Sequence, residues 1–249
     1  MATRREIIAG LGGAALLRTA ALEGAETRPR QSLKLAARSK LVMIGDSITD
    51  TDRARPVGEG SAEALGKGYV TMVDALLGAT YPDLLIRVMN TGISGNTVRN
   101  LKARWQTDVL DLQPDWVSVM IGTNDVWRQF DSPRQPDKAV PIKEYEETLD
   151  ELVRTTLPTV KGMVLMTPFF LEPVRTDAMR AEMDRYGAVV KKVAAARGTV
   201  FVDTQAPFDQ VLAVSYSAVL ARDRVHPNHV GHMILARAFL TGIGFDWTR

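Results

Sequence analysis

The chain contains no cysteine, which excludes disulfides, thiolate nucleophiles and cysteine-ligated zinc together. Histidine is almost as scarce. His226, His229 and His232 are the only three, all within seven residues, so imidazole chemistry near neutral pH is confined to one stretch. Charge of one sign is also missing: 31 Lys+Arg stand against 29 Asp+Glu, a formal net charge of +2. The clustered basic surface that nucleic-acid binding requires is therefore not indicated. What is present is ordinary for a folded domain. At 249 residues, 45% hydrophobic and 24% charged, the chain can bury a sizeable core in one large domain.

The N-terminus reads as an address. Paired arginines in Thr3-Arg4-Arg5-Glu6 precede an uncharged run from Ile7 to Leu17, followed by small residues around Ala20-Ala21 and Gly24-Ala25. Residues 1–25 thus resemble a bacterial twin-arginine export signal, the plain alternative being an N-terminal extension. The run is far shorter than the roughly 20 residues that span a bilayer, so stable membrane insertion is not expected. Residues 26–38 are expected to be a flexible extension and residues 39–249 the folded domain. An exported chain, periplasmic or secreted, is the expectation, with a cytoplasmic one as the alternative.

From Ser39 onward, short apolar runs alternate with longer helical patterns. The runs are Leu41–Ile44, Leu84–Met89, Trp116–Ile121, Met163–Met166 and Val200–Val202, apolar on both faces as in a parallel sheet covered by helices. Between them, Tyr69/Met72/Val73/Leu76/Leu77 and Tyr145/Thr148/Leu149/Leu152/Val153 keep apolar residues on one helical stripe. This alternation predicts a single doubly wound α/β domain. Arg128–Pro141, with three prolines, is the longest loop candidate, and a final helix is expected over Asn228–Leu240.

Ligands of an open parallel sheet bind outside the carboxyl ends of the strands. There the sequence places Gly45-Asp46-Ser47, then Asn90–Asn96, then Gly122-Thr123-Asn124-Asp125, with the histidines after the fifth strand. A serine becomes a nucleophile only when a base takes its proton and a third group holds that base in the right tautomer. Ser47, on a tight strand-to-helix turn, suits the first role; His226 and Asp223, three residues apart in Asp223-Arg224-Val225-His226, suit the others. Oxyanion donors are available from the Ser47 N–H, the Gly95 N–H and the Asn124 amide, each commonly worth about 2.7–4 kcal/mol on removal. No metal or organic cofactor is required.

Each piece has a bland reading. Ser47 could cap a helix, Gly95 could serve a turn needing positive φ, and Asn124 could bond its own loop. Gly-Asp-Ser alone is expected by chance roughly 0.05 times in a chain of this length, but four pieces in order at strand ends are much harder to reach by accident. His229 and His232 could join His226 as metal ligands, yet His226 precedes the helix and Asp223 is better explained as its partner. Trp127, Phe169 and Phe170 follow strands three and four, where lining an acyl pocket and packing in the core are both open.

Gly45-Asp46-Ser47-Ile48, Gly95 in Ile93–Thr97, Gly122-Thr123-Asn124-Asp125 and Asp223–His226 resemble the four blocks of the SGNH, or GDSL, hydrolase family, with Ile48 in place of the eponymous leucine. The resemblance implies a three-layer, flavodoxin-like α/β/α sandwich around a five-stranded parallel sheet. It also implies a Ser47–His226–Asp223 triad and a Ser47, Gly95 and Asn124 oxyanion hole. Over Ser39–Trp247, segments such as Arg53-Ala54-Arg55-Pro56, Asn96–Trp105 and Asn124–Gln129 are similar to the bacterial serine acetylxylan esterases of this family. Removal of acetyl groups from xylan or xylo-oligosaccharides is thereby implied, with homo-oligomeric assembly as a further implication. Arg222 stands where those enzymes carry a tryptophan, which marks Arg222, beside Trp127, as a candidate substrate-binding residue. A lysophospholipase, thioesterase or other short-chain carboxylesterase, and a carbohydrate-binding protein without catalysis, are the competing readings.

Overall fold

The computed structural model describes residues 32–60 and 62–249; the export-like segment lies outside them. Five strands, β1 (Lys40–Gly45), β2 (Arg87–Asn90), β3 (Trp116–Met120), β4 (Gly162–Met166) and β5 (Val200–Val202), form one parallel sheet in the order β2-β1-β3-β4-β5. Among the described residues, nine α-helices connect and cover them: α1 (Ser47–Asp50), α2 (Tyr69–Thr80), α3 (Val98–Asp108), α4 (Thr123–Asp131), α5 (Ile142–Thr156), α6 (Ala178–Arg197), α7 (Gln205–Leu212), α8 (Ser217–Leu220) and α9 (His229–Gly242).

The strand pattern explains the layering. Successive side chains of β1 point to opposite faces, and both faces are buried. Leu41 and Met43 join a core with Val70, Val73 and Leu77 of α2, Phe208 of α7 and Phe239 of α9. Val42 and Ile44 join a second core with Leu101 and Trp105 of α3, Leu149 of α5 and Val190 of α6. The helical stripe expected around Tyr145 is buried throughout, including Thr148 and Val153. The sheet reverses its winding between β1 and β3, which pair in register from Leu41↔Trp116 to Gly45↔Met120. A crevice opens at such a switch point beyond the strand ends, and Asp46-Ser47 and Gly122–Asn124 emerge there.

Four boundaries differ from expectation. Residues 32–38 are not a loose extension: Leu35 is 2% exposed in the first core and the Lys34 N–H donates to Ile243 O at 2.9 Å. Burying one leucine contributes about 1.5–3 kcal/mol, which offsets part of the cost of ordering the segment. The second strand begins at Arg87, because Pro82–Leu84 forms a 3-10 turn and Leu85 takes left-handed φ of 47°. Helix α4 runs four residues into the expected loop, to Asp131, before the prolines stop it. The last helix extends to Gly242, capped at its start by Asn228, whose Oδ1 accepts from Val230 and Gly231 N–H.

Candidate active site

Ser47 opens α1 directly after β1. Asp46 is the N-cap, its Oδ1 accepting from Ile48 N–H at 3.0 Å. Gly45 is required by close approach: a Cβ there would collide with Thr49 Oγ1 and the Met120 carbonyl oxygen. The turn therefore places Ser47 at the rim, where its Oγ lies 2.8 Å from His226 Nε2. His226 Nδ1 in turn lies 2.6 Å from Asp223 Oδ2. With Nδ1 protonated and donating to the carboxylate, Nε2 is left as the acceptor for the Ser47 hydroxyl.

Asp223 is fixed by its own loop. Its Oδ1 accepts from Val225 N–H at 3.0 Å and His226 N–H at 2.9 Å. Partial burial opposes ionisation of Asp223, but the hydrogen bonds from the His226 ring and from the backbone outweigh it and hold the carboxyl below its ordinary value. Arg224, at φ 64°, anchors the same loop by pairing with Glu172 at 2.6 Å and lying over the Phe170 ring. Asn228 then donates to Val219 O at 2.7 Å while capping α9.

The other side of the crevice comes from the ends of β2 and β3. Gly95 adopts φ +80° with open space where a Cβ would stand, so its N–H is approachable and the turn favours glycine. Asn124, in the first turn of α4, donates Nδ2–H to Asn96 O at 3.0 Å and accepts at Oδ1 from Arg128 Nη2 at 3.0 Å. Ser47, Gly95, Asn124, Trp127 and His226 line one open cavity of about 550 Å³. Its wall includes Trp127, whose ring meets His226 edge-on at 5.7 Å. Arg222 is exposed and does not line this cavity. Phe169 and Phe170 belong to the two cores instead.

Among the described residues no group of three or more His, Cys, Asp or Glu is placed to hold a metal ion. The three histidines do not converge: His232 Nδ1 accepts from Tyr69 N–H at 3.2 Å, its ring parallel to that of Tyr69. Burial pushes the His232 ring down to about 4, with the charge of His226 adding to the effect. Burial also raises two carboxyls behind the crevice, Asp46 to about 6 and Asp125 to about 7.

Several positioning residues carry no catalytic chemistry of their own and escaped the sequence reading. Asp50 accepts from Arg55 Nη2 at 3.0 and 2.8 Å and from both Ser94 N–H and Ser94 Oγ at 2.8 Å, which ties the Gly95 turn to α1. Arg104 donates to Gly45 O, Thr91 O and Asn96 Oδ1, bridging the ends of β1 and β2. Asn90 reaches Thr49 O and Leu65 O at 2.7 and 2.8 Å. Only their proximity in sequence to the motif blocks could have drawn attention to them.

The sequence model of GDSL-like lipases and acylhydrolases matches residues 43–234. The chain belongs to this family. It is 60% identical over 217 residues to the acetylxylan esterase of Geobacillus stearothermophilus, covering 87% of this chain and 99% of that one. The crystal structure of that enzyme, Axe2, superimposes with a TM-score of 0.86 at 60% identity, again over 87% of this chain and 99% of that one. LAE5, an α/β hydrolase from the metagenome of Lake Arreo, is 54% identical with a TM-score of 0.84, covering 86% and 99% of the two chains. Variants of Axe2 described as catalytic mutants replace a serine, an aspartate and a histidine at the spacing of Ser47, Asp223 and His226 in this chain. Like that acetylxylan esterase, this chain is a serine carboxylic-ester hydrolase. No helix of the described residues is long and apolar enough to cross a membrane.

Proposed function

We propose that the protein removes acetyl groups from xylan or xylo-oligosaccharides through an acetyl-Ser47 intermediate. The reading is carried by the unbroken chain Ser47 Oγ–His226–Asp223 at 2.8 and 2.6 Å, in a sequence 60% identical to an acetylxylan esterase. His226 Nε2 takes the Ser47 proton as Oγ attacks the acetyl carbonyl. The carbonyl oxygen becomes an oxyanion facing the Ser47 and Gly95 N–H groups and the Asn124 amide. Ser47 N–H opens a helix and so lacks an intrahelical acceptor; it is available to that oxygen. The tetrahedral adduct collapses as His226 protonates the departing sugar oxygen. Water, deprotonated by the same imidazole, then attacks the acetyl-serine and releases acetate. Asp223 stays ionised and stabilises the imidazolium formed in both steps.

Trp127 supplies an aromatic wall on which a sugar ring can pack beside His226. Export of the mature chain and its self-association belong to the same reading. The first is checked by recovering the protein from the periplasm and replacing Arg4 and Arg5 with lysine; the second by light scattering.

The deciding experiment measures acetate release from acetylated xylo-oligosaccharides, beside the Ser47→Ala variant and an acyl-length series of simple esters. Release that vanishes in the variant, with rates falling beyond acetyl, is the expected result. Rates rising beyond butyryl would overturn the deacetylase reading in favour of a lysophospholipase or thioesterase.

A further inference from the structure

Arg128 lies one helical turn beyond Asn124 on α4, and its guanidinium makes three contacts that bear on the site. Nη2 donates to Asn124 Oδ1 at 3.0 Å. Nη1 is held by Asp131, three residues further on. Its Cζ sits 5.0 Å from the centroid of the Trp127 ring, and that ring is the one packed edge-on against His226.

An asparagine amide has two ends of almost the same shape. A half-turn about its last torsion would aim Oδ1, a partial negative charge, at the place where an oxyanion forms. Both partners forbid that rotation. The Asn96 carbonyl can only accept, and so selects Nδ2; the Arg128 guanidinium can only donate, and so selects Oδ1. A cation on Oδ1 also draws electron density from the amide nitrogen, which makes its second N–H a stronger donor. Lysine could not reproduce the arrangement, because one ammonium lacks the planar fork that reaches Asn124 and Asp131 while lying over an indole.

We propose that Arg128 is a positioning residue of the oxyanion hole, orienting and polarising the Asn124 amide. This rests on the reading of Asn124 as an oxyanion donor, and the test separates the two. It is a double-mutant cycle of Arg128→Met and Asn124→Ala, with Arg128→Lys alongside, on p-nitrophenyl acetate. The constants kcat and KM are determined separately, and thermal unfolding confirms that each variant folds.

Removing an oxyanion donor outright costs about 10²–10³ in kcat, so loosening one through Arg128 is expected to cost about 10–100-fold, with KM within about 2-fold. Arg128→Lys recovers only part of that loss. In the Asn124→Ala background, Arg128→Met is expected to change kcat by less than about 2-fold, because the group it acts on is gone. Fully additive losses overturn the proposal. A raised KM at unchanged kcat also overturns it, since that makes Arg128 a substrate contact. An Asn124→Ala variant with undiminished kcat overturns the oxyanion reading itself, and this proposal with it. Should Arg128→Met fail to fold, Asp131→Asn loosens the guanidinium more gently. It is then expected to lower kcat by about 3-fold in the parent and not in Asn124→Ala; equal losses in both overturn the proposal.

Discussion

Asp50→Asn separates scaffold from chemistry. The Asp50 side chain is 4% exposed and accepts two hydrogen bonds from Arg55 and two from Ser94. Asparagine keeps the shape but not the charge, and its Nδ2 must face either the Ser94 N–H or the guanidinium, donor against donor. Breaking a fully buried ion pair costs about 3–5 kcal/mol, but Arg55 is half exposed and recovers part of its solvation. The expected loss is about 1.5–3 kcal/mol, the range for charge-assisted hydrogen bonds, read as a lower urea midpoint at unchanged slope. Burial opposes ionisation of Asp50, yet Arg55 and Ser94 outweigh it and leave the carboxyl below its ordinary value. Its stabilisation is therefore present above the ordinary carboxylate range and lost as pH falls through the native value. The gap between parent and variant should close in acid. Ser94 precedes Gly95, so the turn carrying one proposed oxyanion donor is released as well, and misplacement by about 1 Å can cost about 10²-fold in rate. Measured under conditions where both proteins are folded, kcat is expected to fall by at least about 10-fold. A destabilised variant with undiminished kcat would refute the claim that Asp50 holds Gly95 in place.

Ser47→Ala and His226→Ala should each lower kcat by several orders of magnitude on p-nitrophenyl acetate, and the double variant scarcely further, because the groups act as a unit. Asp223→Asn should cost on the order of 10⁴-fold in kcat while leaving the fold intact; near-normal turnover would remove Asp223 from the mechanism. His232, pushed by burial to about 4 from an ordinary 6.5, takes up a proton more readily in the unfolded chain. Its contribution is present above pH 6.5 and declines toward pH 4, by at most about 1.4 kcal/mol per pH unit. Urea midpoints of His232→Gln over that window should fall less steeply than those of the parent.

Much of this was legible because strand and motif residues answer to local rules. Leu41–Ile44 and, Ser118 apart, Trp116–Met120 are apolar on both faces, as central parallel strands are, and the chemical residues sit at their ends. With three histidines in one stretch, the proposed base and its aspartate could be picked out without any structure. The second strand was placed too early because Leu84 and Leu85 are apolar, and a left-handed residue leaves no hydrophobic signature. Leu35 was missed for the opposite reason: one buried leucine ahead of β1 makes no periodic pattern.

The residues that escaped share a physical character. Asp50, Asn90 and Arg104 tie separate strand ends together through side-chain bonds to backbone carbonyls and amides, and Arg128 holds the Asn124 side chain within α4. Such partners are fixed by tertiary geometry, and charge or amide content in a sequence does not distinguish them from a solvated surface. Arg222 stands in a different position. It lies beside Asp223 in sequence, but the Asp223 loop turns His226 into the crevice and leaves Arg222 exposed, outside the cavity lining. Adjacency in sequence draws the eye to Arg222, whereas the helical spacing of four from Asn124 brings Arg128 to the amide. A search for positioning residues in such a site should follow the helix that carries the oxyanion donor, one turn at a time.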